Sequence, residues 1–257
     1  MKNLKELLMS ENPVAALRVM VEQGTLADFN QDIANLKMDI PRGYHHKDNL
    51  EHSIRVLENA ISMEENGPDL VLRTAALLHD IGKPATRKLG ARKSVSFDGH
   101  EVVGARIVSK MLPKQGYSKS EVKEISLLVR LHMRSHGFDT NAWTDSAVRR
   151  LVTDAENEVT LSRLLIVFKA DVTTKSDQKR NRVHRVVNHL EETIARFKKD
   201  EARKSLRPAY NGHELMEMFG LEQGRELGQL MKFLNSDEGI HLNRDDALAE
   251  MKKRFNI

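Results

Sequence analysis

Five places in this 257-residue chain hold side chains that commonly ligate divalent metals: His52, the doublet His79-Asp80, His100, His132 and Asp171. Neutral imidazoles and carboxylates can share one cation. That chemistry requires the groups to be gathered where water competes poorly. The doublet is the most informative of the five. It closes the stretch Leu70 to Pro84, "LVLRTAALLHDIGKP", in which every residue from Leu70 to Leu78 except Arg73 and Thr74 suits a buried helix. Gly82 and Pro84 then stop the helix. A helix this apolar packs inside a core, so its end carries an imidazole and a carboxylate close to the interior, where polar groups need partners. A lone His-Asp pair more often caps an exposed helix end. Here Lys83 and the other histidines favour a metal ion as the shared partner.

The remaining candidates sit on elements that would turn them inward. Asp48 or Asn49 caps a helix with Leu50, Ile54, Leu57 and Ile61 at helical spacing, and His52 falls at the edge of that face. His100 lies in the first turn of a helix from Gly99 to Leu112. A capping box at Ser118 and Glu121 opens a helix whose Val122, Ile125, Val129 and His132 share one stripe. Asp171 continues the apolar face of Leu161, Leu164, Leu165 and Phe168, which predicts an inward carboxylate. One ion would need three or four of these ligands; two ions would use Asp80 as a bridge and recruit His100 and His132.

Elsewhere the helical period dominates. Leu4, Leu7 and Leu8, then Ala15, Leu17, Val19 and Met20, predict two short helices divided by Asn12-Pro13, with a polar loop from Gly24 through Pro41. Thr144 caps a shorter helix with Ala147, Val148, Leu151 and Val152. Three short helices near Leu215, Leu227 to Leu234, and Ala247 to Phe255 close the chain, and Trp143, Met216, Met218 and Met231 read as core. The single strand signal lies near 86–97, where Gly90 in a basic turn and alternating Val95 and Phe97 predict a short β-hairpin. The expected class is all-α, a helical bundle with that hairpin and additional flanking helices. Expected boundaries are an N-terminal helical segment at 1–44, a central domain at 45–175 and a C-terminal helical region at 176–257.

Hydrophobic residues make up 40% and charged residues 30% of the chain, a globular balance with no apolar run near the roughly 18 residues of a membrane helix. There is no signal-peptide pattern and no cysteine, so disulfides and thiolate metal sites are excluded and the cytoplasm is the expected compartment. Ligands drawn from His, Asp, Glu and water suit Mn, Ni, Co, Fe, Mg or a catalytic Zn site. The formal net charge of +4 is compatible with an anionic partner.

The order His, His-Asp, distant Asp on a helical bundle resembles the HD phosphohydrolase superfamily. On that resemblance His52, His79, Asp80 and Asp171 are metal ligands, and His100 and His132 match the extra histidines of members that hold two metals. Wider segments, "HHKDNLEHSIRVLENA", "LLHDIGKPATRK", "SFDGHEVVGARIVSKML", "LVRLHMRSHGF", "WTDSAVRRLV" and "KADVTTKS", resemble the C-terminal half of bacterial tRNA nucleotidyltransferases with an HD domain. "RPAYNGHELMEMFGLEQGRELGQLMKFL" resembles their RNA-body helices. The nucleotidyltransferase head, with its Gly-Ser motif and paired aspartates, has no counterpart here, so CCA addition is not carried over.

The resemblance implies a metal-dependent phosphohydrolase, with one or two divalent ions, acting on a nucleotide or RNA end, and 2′,3′-cyclic phosphates and phosphatase substrates as the expected chemistry. Asp80 and Lys83 are the expected catalytic groups, Lys83 as a point charge on a phosphate oxygen. Arg149, Arg150 and His136 are further candidates for substrate phosphate, although each also fits an ordinary solvated or helix-capping role. His45 and His46 fit a solvated loop. Basic residues around Arg180 to Arg185 fit an exposed helix; no aromatics interleave with them, which argues against single-strand stacking there. Two other readings remain: a non-catalytic RNA-binding body working with a separate nucleotidyltransferase, and a hydrolase of nucleotides or cyclic oligonucleotides.

Overall fold

The computed structural model describes residues 3–38, 48–90, 94–135, 143–174 and 176–255. The chain divides into two compact units, Met1–Glu192 and Thr193–Ile257. The first begins with α1 (Leu4–Leu8), α2 (Pro13–Glu22), α3 (Leu26–Phe29) and α4 (Gln31–Ala34). Pro13 starts α2 instead of separating two helices, because a first-turn N–H has no intrahelical acceptor to lose. The polar loop expected after Gly24 is instead two single-turn helices. Leu26, Ile33 and Leu36 anchor them in the core, a tertiary effect that overrides the local polarity.

Next come α5 (Asn49–Ile61) and α6 (Leu70–Leu78), capped by Asp48 and Asp69, whose carboxylates accept backbone N–H groups of the first turn. A short α7 (Lys83–Thr86) leads to the hairpin of β1 (Lys88–Leu89) and β2 (Val95–Ser96), antiparallel with Lys88 opposite Ser96 and Leu89 opposite Val95. Gly99, at φ +77°, turns the chain into α8 (His100–Met111). The predicted capping box opens α9 (Lys119–Leu131), Thr144 caps α10 (Asp145–Asp154), and Asn157 caps α11 (Glu158–Ala170). The 29-residue α12 (Asp177–Ser205) begins in this unit and ends in the second.

Helix α6 is the centre of the first unit. It packs against α1, α5, α9 and α11, and Val71 through Leu78 are all buried. Arg73 and Thr74, the polar break in its pattern, are buried too and fully engaged. Arg73 donates to both Glu64 carboxylate oxygens at 2.8 and 2.6 Å and to the Leu8 carbonyl at 2.7 Å, tying α1 to α6. The Thr74 hydroxyl donates to the Leu70 carbonyl at 2.6 Å and lies 2.9 Å from the Tyr117 hydroxyl.

The second unit holds α13 (Gly212–Phe219), α14 (Arg225–Leu234) and α15 (Arg244–Phe255) around Leu215, Leu230, Phe233, Leu234, Ala247 and Met251. Trp143 is buried as expected and Met216 and Met231 are half-buried, but Met218 is 44% exposed and so is not a core residue. It lies in the last turn of α13, one residue before the helix ends at Phe219. Among the described residues no helix is long and apolar enough to cross a membrane.

Removing the Arg73 guanidinium strands the buried Glu64 carboxylate. Arg73→Met should destabilise the fold by about 3–5 kcal/mol, a fall in Tm of about 10 °C for a chain of this size. Chelator-treated thermal melts of both proteins test this, and an unchanged Tm would show that the pair does not hold α1 to α6.

Candidate metal centre

The doublet sits where the apolar run of α6 ends, with His79 as the C-cap and both residues about 1% exposed. His52 arrives from the first turns of α5, His100 from the start of α8, His132 from the residue after α9, and Asp171 from the C-cap of α11. The structure thus brings all six sequence-predicted groups together.

Their distances divide along the two oxygens of Asp80. Its Oδ2 lies 3.3 Å from His79 Nε2 and 3.6 Å from His52 Nε2, while Asp171 Oδ1 lies 3.0 Å from His52 Nε2 and 3.4 Å from His79 Nε2. Its Oδ1 lies 3.2 Å from His100 Nε2 and 3.8 Å from His132 Nε2. Two triads result, His52–His79–Asp80 and Asp80–His100–His132, each with its ligand atoms within 4.8 Å of one another. Asp80 belongs to both.

Ring orientation is set from behind. The Nδ1 atoms of His79, His100 and His132 lie 2.9, 2.8 and 2.6 Å from the carbonyls of Ala76, Phe97 and Val129. A carbonyl only accepts, so each Nδ1 carries the proton and each Nε2 is left to ligate. His52 Nδ1 instead meets the Thr173 hydroxyl at 2.9 Å. Within each triad two Nε2 atoms then face each other, His52 to His79 at 3.3 Å and His100 to His132 at 3.2 Å. Facing lone pairs repel unless a proton or a cation lies between them. The donor set fits divalent ions on both counts, identity and orientation.

Electrostatics shows which group takes up charge when no metal is bound. Burial opposes protonation of His79, but the Asp80 and Asp171 carboxylates outweigh it and raise His79 to about 10. Burial, reinforced by the charge on His79, pushes His132 down to about 3. Both carboxylates stay well below their ordinary range: burial works against their ionisation, and the neighbouring charge of His79 and histidine hydrogen bonds override it.

The centre opens into a cavity of about 750 Å³ whose wall includes Asn49, Lys83, Ser96, Phe97, Glu101 and Met133. Lys83 Nζ lies 2.5 Å from Asp80 Oδ2 and 5.6 Å from the centre of the Phe97 ring. The hairpin therefore forms part of the wall through Val95, Ser96 and Phe97. Gly82 makes the approach of α8 possible: a Cβ there would overlap the His100 carbonyl and the Gly104 amide. Arg149 and Arg150 are exposed on α10 and do not line this cavity. His136, His45 and His46 lie outside the described residues.

Sequence reasoning missed two residues. Thr173, which holds His52, has no signal beyond a hydroxyl two positions after Asp171. Asn49 lies on the cavity wall one turn before His52, buried, with its amide nitrogen lacking a hydrogen-bond partner; the sequence suggested only a helix cap.

A helical bundle with an imidazole, a His-Asp doublet and a distant aspartate gathered at the end of its central helix defines an HD domain. Residues 49–176 match the family model described as "HD domain", and the chain belongs to that superfamily. It is 30% identical over 234 residues to the CC-adding tRNA nucleotidyltransferase of Thermus thermophilus, covering 91% of this chain and 50% of that protein. It is also 30% identical over 198 residues to the A-adding tRNA nucleotidyltransferase of Deinococcus radiodurans, covering 75% of this chain and 43% of the relative. A bifunctional uridylyltransferase/uridylyl-removing enzyme of Zymomonas mobilis is 29% identical over 187 residues, 18% of its own length. The chain spans about half the length, or less, of the curated relatives it matches.

The raised His79 gives a stability signature. Its proton stabilises the metal-free fold fully below the ordinary value of 6.5, and that contribution is lost as pH rises through about 10. Chelator-treated wild type should lose Tm between pH 6.5 and 10 more steeply than His79→Gln. Equal slopes in the two proteins would refute the charge assignment.

Proposed function

We propose that this protein is a metal-dependent phosphohydrolase acting on a phosphoester of a nucleotide or an RNA end, with a 2′,3′-cyclic or terminal phosphate preferred. The observation that carries this reading is the pair of triads sharing Asp80, every imidazole turned with Nε2 inward. His52, His79, Asp80 and Asp171 would hold one divalent ion, and Asp80, His100 and His132 a second. When bound, such ions supply Lewis-acid polarisation of a phosphoryl oxygen and an activated water.

The chain's own groups then divide the remaining work. Asp80 holds both halves of the centre in one register. Lys83, tethered to Asp80 and resting against Phe97, provides a cation on the cavity wall for a non-bridging oxygen as charge builds on it. The Asn49 amide is a second donor at that wall. Strain in a five-membered cyclic diester favours its opening, and no protein nucleophile is required. Residues 45–175 are read as the catalytic domain and 176–257 as an RNA-body-like region. The likeness to two tRNA nucleotidyltransferases supports an RNA end over a free nucleotide.

Asp80→Ala should abolish turnover of bis-p-nitrophenyl phosphate and of 2′,3′-cyclic nucleotides in Mn, Ni, Co and Mg, while circular dichroism stays helical. Metal content by mass spectrometry should fall with it. Wild-type turnover by this variant would refute the site. The RNA part has its own measurement: an oligonucleotide ending in a cyclic phosphate should show a higher kcat/KM than the matching mononucleotide, an advantage that shrinks as salt rises. Equal efficiency at low salt would leave a small-nucleotide hydrolase. Inertness toward every phosphoester in every metal would favour the non-catalytic RNA-binding body.

A further inference from the structure

His52 stands between two cavities. Its Nε2 faces the carboxylates of the metal centre, while its Nδ1 meets Thr173, which lines a second cavity of about 500 Å³. That second wall is built from cations on four separate helices: Arg18 on α2, Arg55 on α5, Lys169 on α11 and Arg180 on α12. Among the described lining residues they face one carboxylate, Glu58.

Each cation has an acidic neighbour. Arg18 lies 3.1 Å from Glu58 and 3.6 Å from Glu51, Arg55 2.8 Å from Glu51, and Lys169 2.7 Å from Glu191, while Arg180 pairs with Asp177. Glu51, Glu191 and Asp177 do not line the cavity, however. The arginine pairs are solvent-exposed and hold their members weakly, so Arg18, Arg55 and Arg180 can turn to a stronger anion, while Lys169 is half-buried and more firmly placed. A phosphoryl group, with several charged oxygens, suits such a cluster because Arg presents paired N–H donors to it. The charge is segregated as well. A neighbouring cavity of about 740 Å³ in the same unit carries Glu64, Glu65, Asp69, Glu158 and Glu191 on its wall against Arg163 and Lys169, the lysine lying between the two cavities. Cations outnumber carboxylates on the wall that Thr173 lines, and carboxylates outnumber cations on the wall of its neighbour.

We propose that the Arg18–Arg55–Lys169–Arg180 cavity is a second anion site, separate from the metal centre, which takes the phosphoryl group of a nucleotide or of an RNA strand. The inference does not depend on hydrolysis, since binding alone tests it. Its position makes occupancy consequential: Thr173 is both part of this wall and the hydrogen-bond partner that orients His52.

The test is calorimetric titration of the full chain, dialysed free of metal, with pyrophosphate. One pyrophosphate should bind per chain. The double variant Arg55→Gln/Arg180→Gln should weaken it at least tenfold, and Lys83→Gln, on the metal cavity, should leave it within twofold. Arg18→Gln alone, weakening binding threefold or more, serves if the double variant melts early. Parallel titrations with ADP and a short single-stranded RNA separate the sources. An RNA whose affinity and salt dependence both fall in the double variant identifies a strand; an effect on ADP alone identifies a free nucleotide. Absence of pyrophosphate binding at millimolar concentration, or a loss that follows Lys83→Gln but not the arginine variants, would overturn the proposal.

Discussion

The structure depends on one costly arrangement: the carboxylate of Asp80 is withdrawn from water at the end of an apolar helix. A buried, ionised carboxylate is tolerated only where opposite charge and hydrogen bonds surround it. Here the charges of His79 and Lys83 and hydrogen bonds from His79 and His100 supply them, with His52 and His132 close by. The bundle can be read as the scaffold that delivers these groups to one point. Helix α6 is apolar because it is central, and helices α5, α9 and α11, packed against it, each bring a candidate ligand to its end.

Much of this was legible in the sequence, for reasons that differ by residue. The caps at Asp48, Ser118 and Thr144 follow a local rule, a side-chain oxygen meeting first-turn N–H groups, and local rules survive without tertiary information. His132 and Asp171 could be placed inward because a helical stripe fixes direction modulo one turn. The His-Asp doublet at the end of an apolar run announced itself by being expensive to bury.

What escaped was non-local. Arg73 read as a break in an apolar helix, since nothing in the sequence pairs it with Glu64 nine residues earlier or with the carbonyl of Leu8. Helices α3 and α4 read as a polar loop because three buried apolar residues across eleven positions make no periodic signal. Thr173 and Asn49 matter through neighbours that only folding provides. Arg149 and Arg150 entered as phosphate candidates through their charge and the family-like segment around them, beside a solvated face as the ordinary alternative, and α10 leaves both exposed. In each case the missing information was which distant surface a residue meets.

The way the imidazoles are held has a further consequence. His79, His100 and His132 each lean on the carbonyl three residues earlier in their own segment, so orientation is encoded within four consecutive residues, at a helix end for His79 and His132 and across the turn into α8 for His100. Their rotamers are fixed before any ion arrives, and little side-chain entropy remains to be lost on binding. Each helix end then behaves as a rigid claw. If the centre holds an ion, adaptation to ions of different radius would fall to small slides between helices, with the rings themselves held still. His52 departs from this rule, because its support, Thr173, lies 121 residues away. Discrimination among metals would accordingly be tuned by bundle packing, at positions remote from the ligands, and the α5 corner is where the centre has most freedom to give.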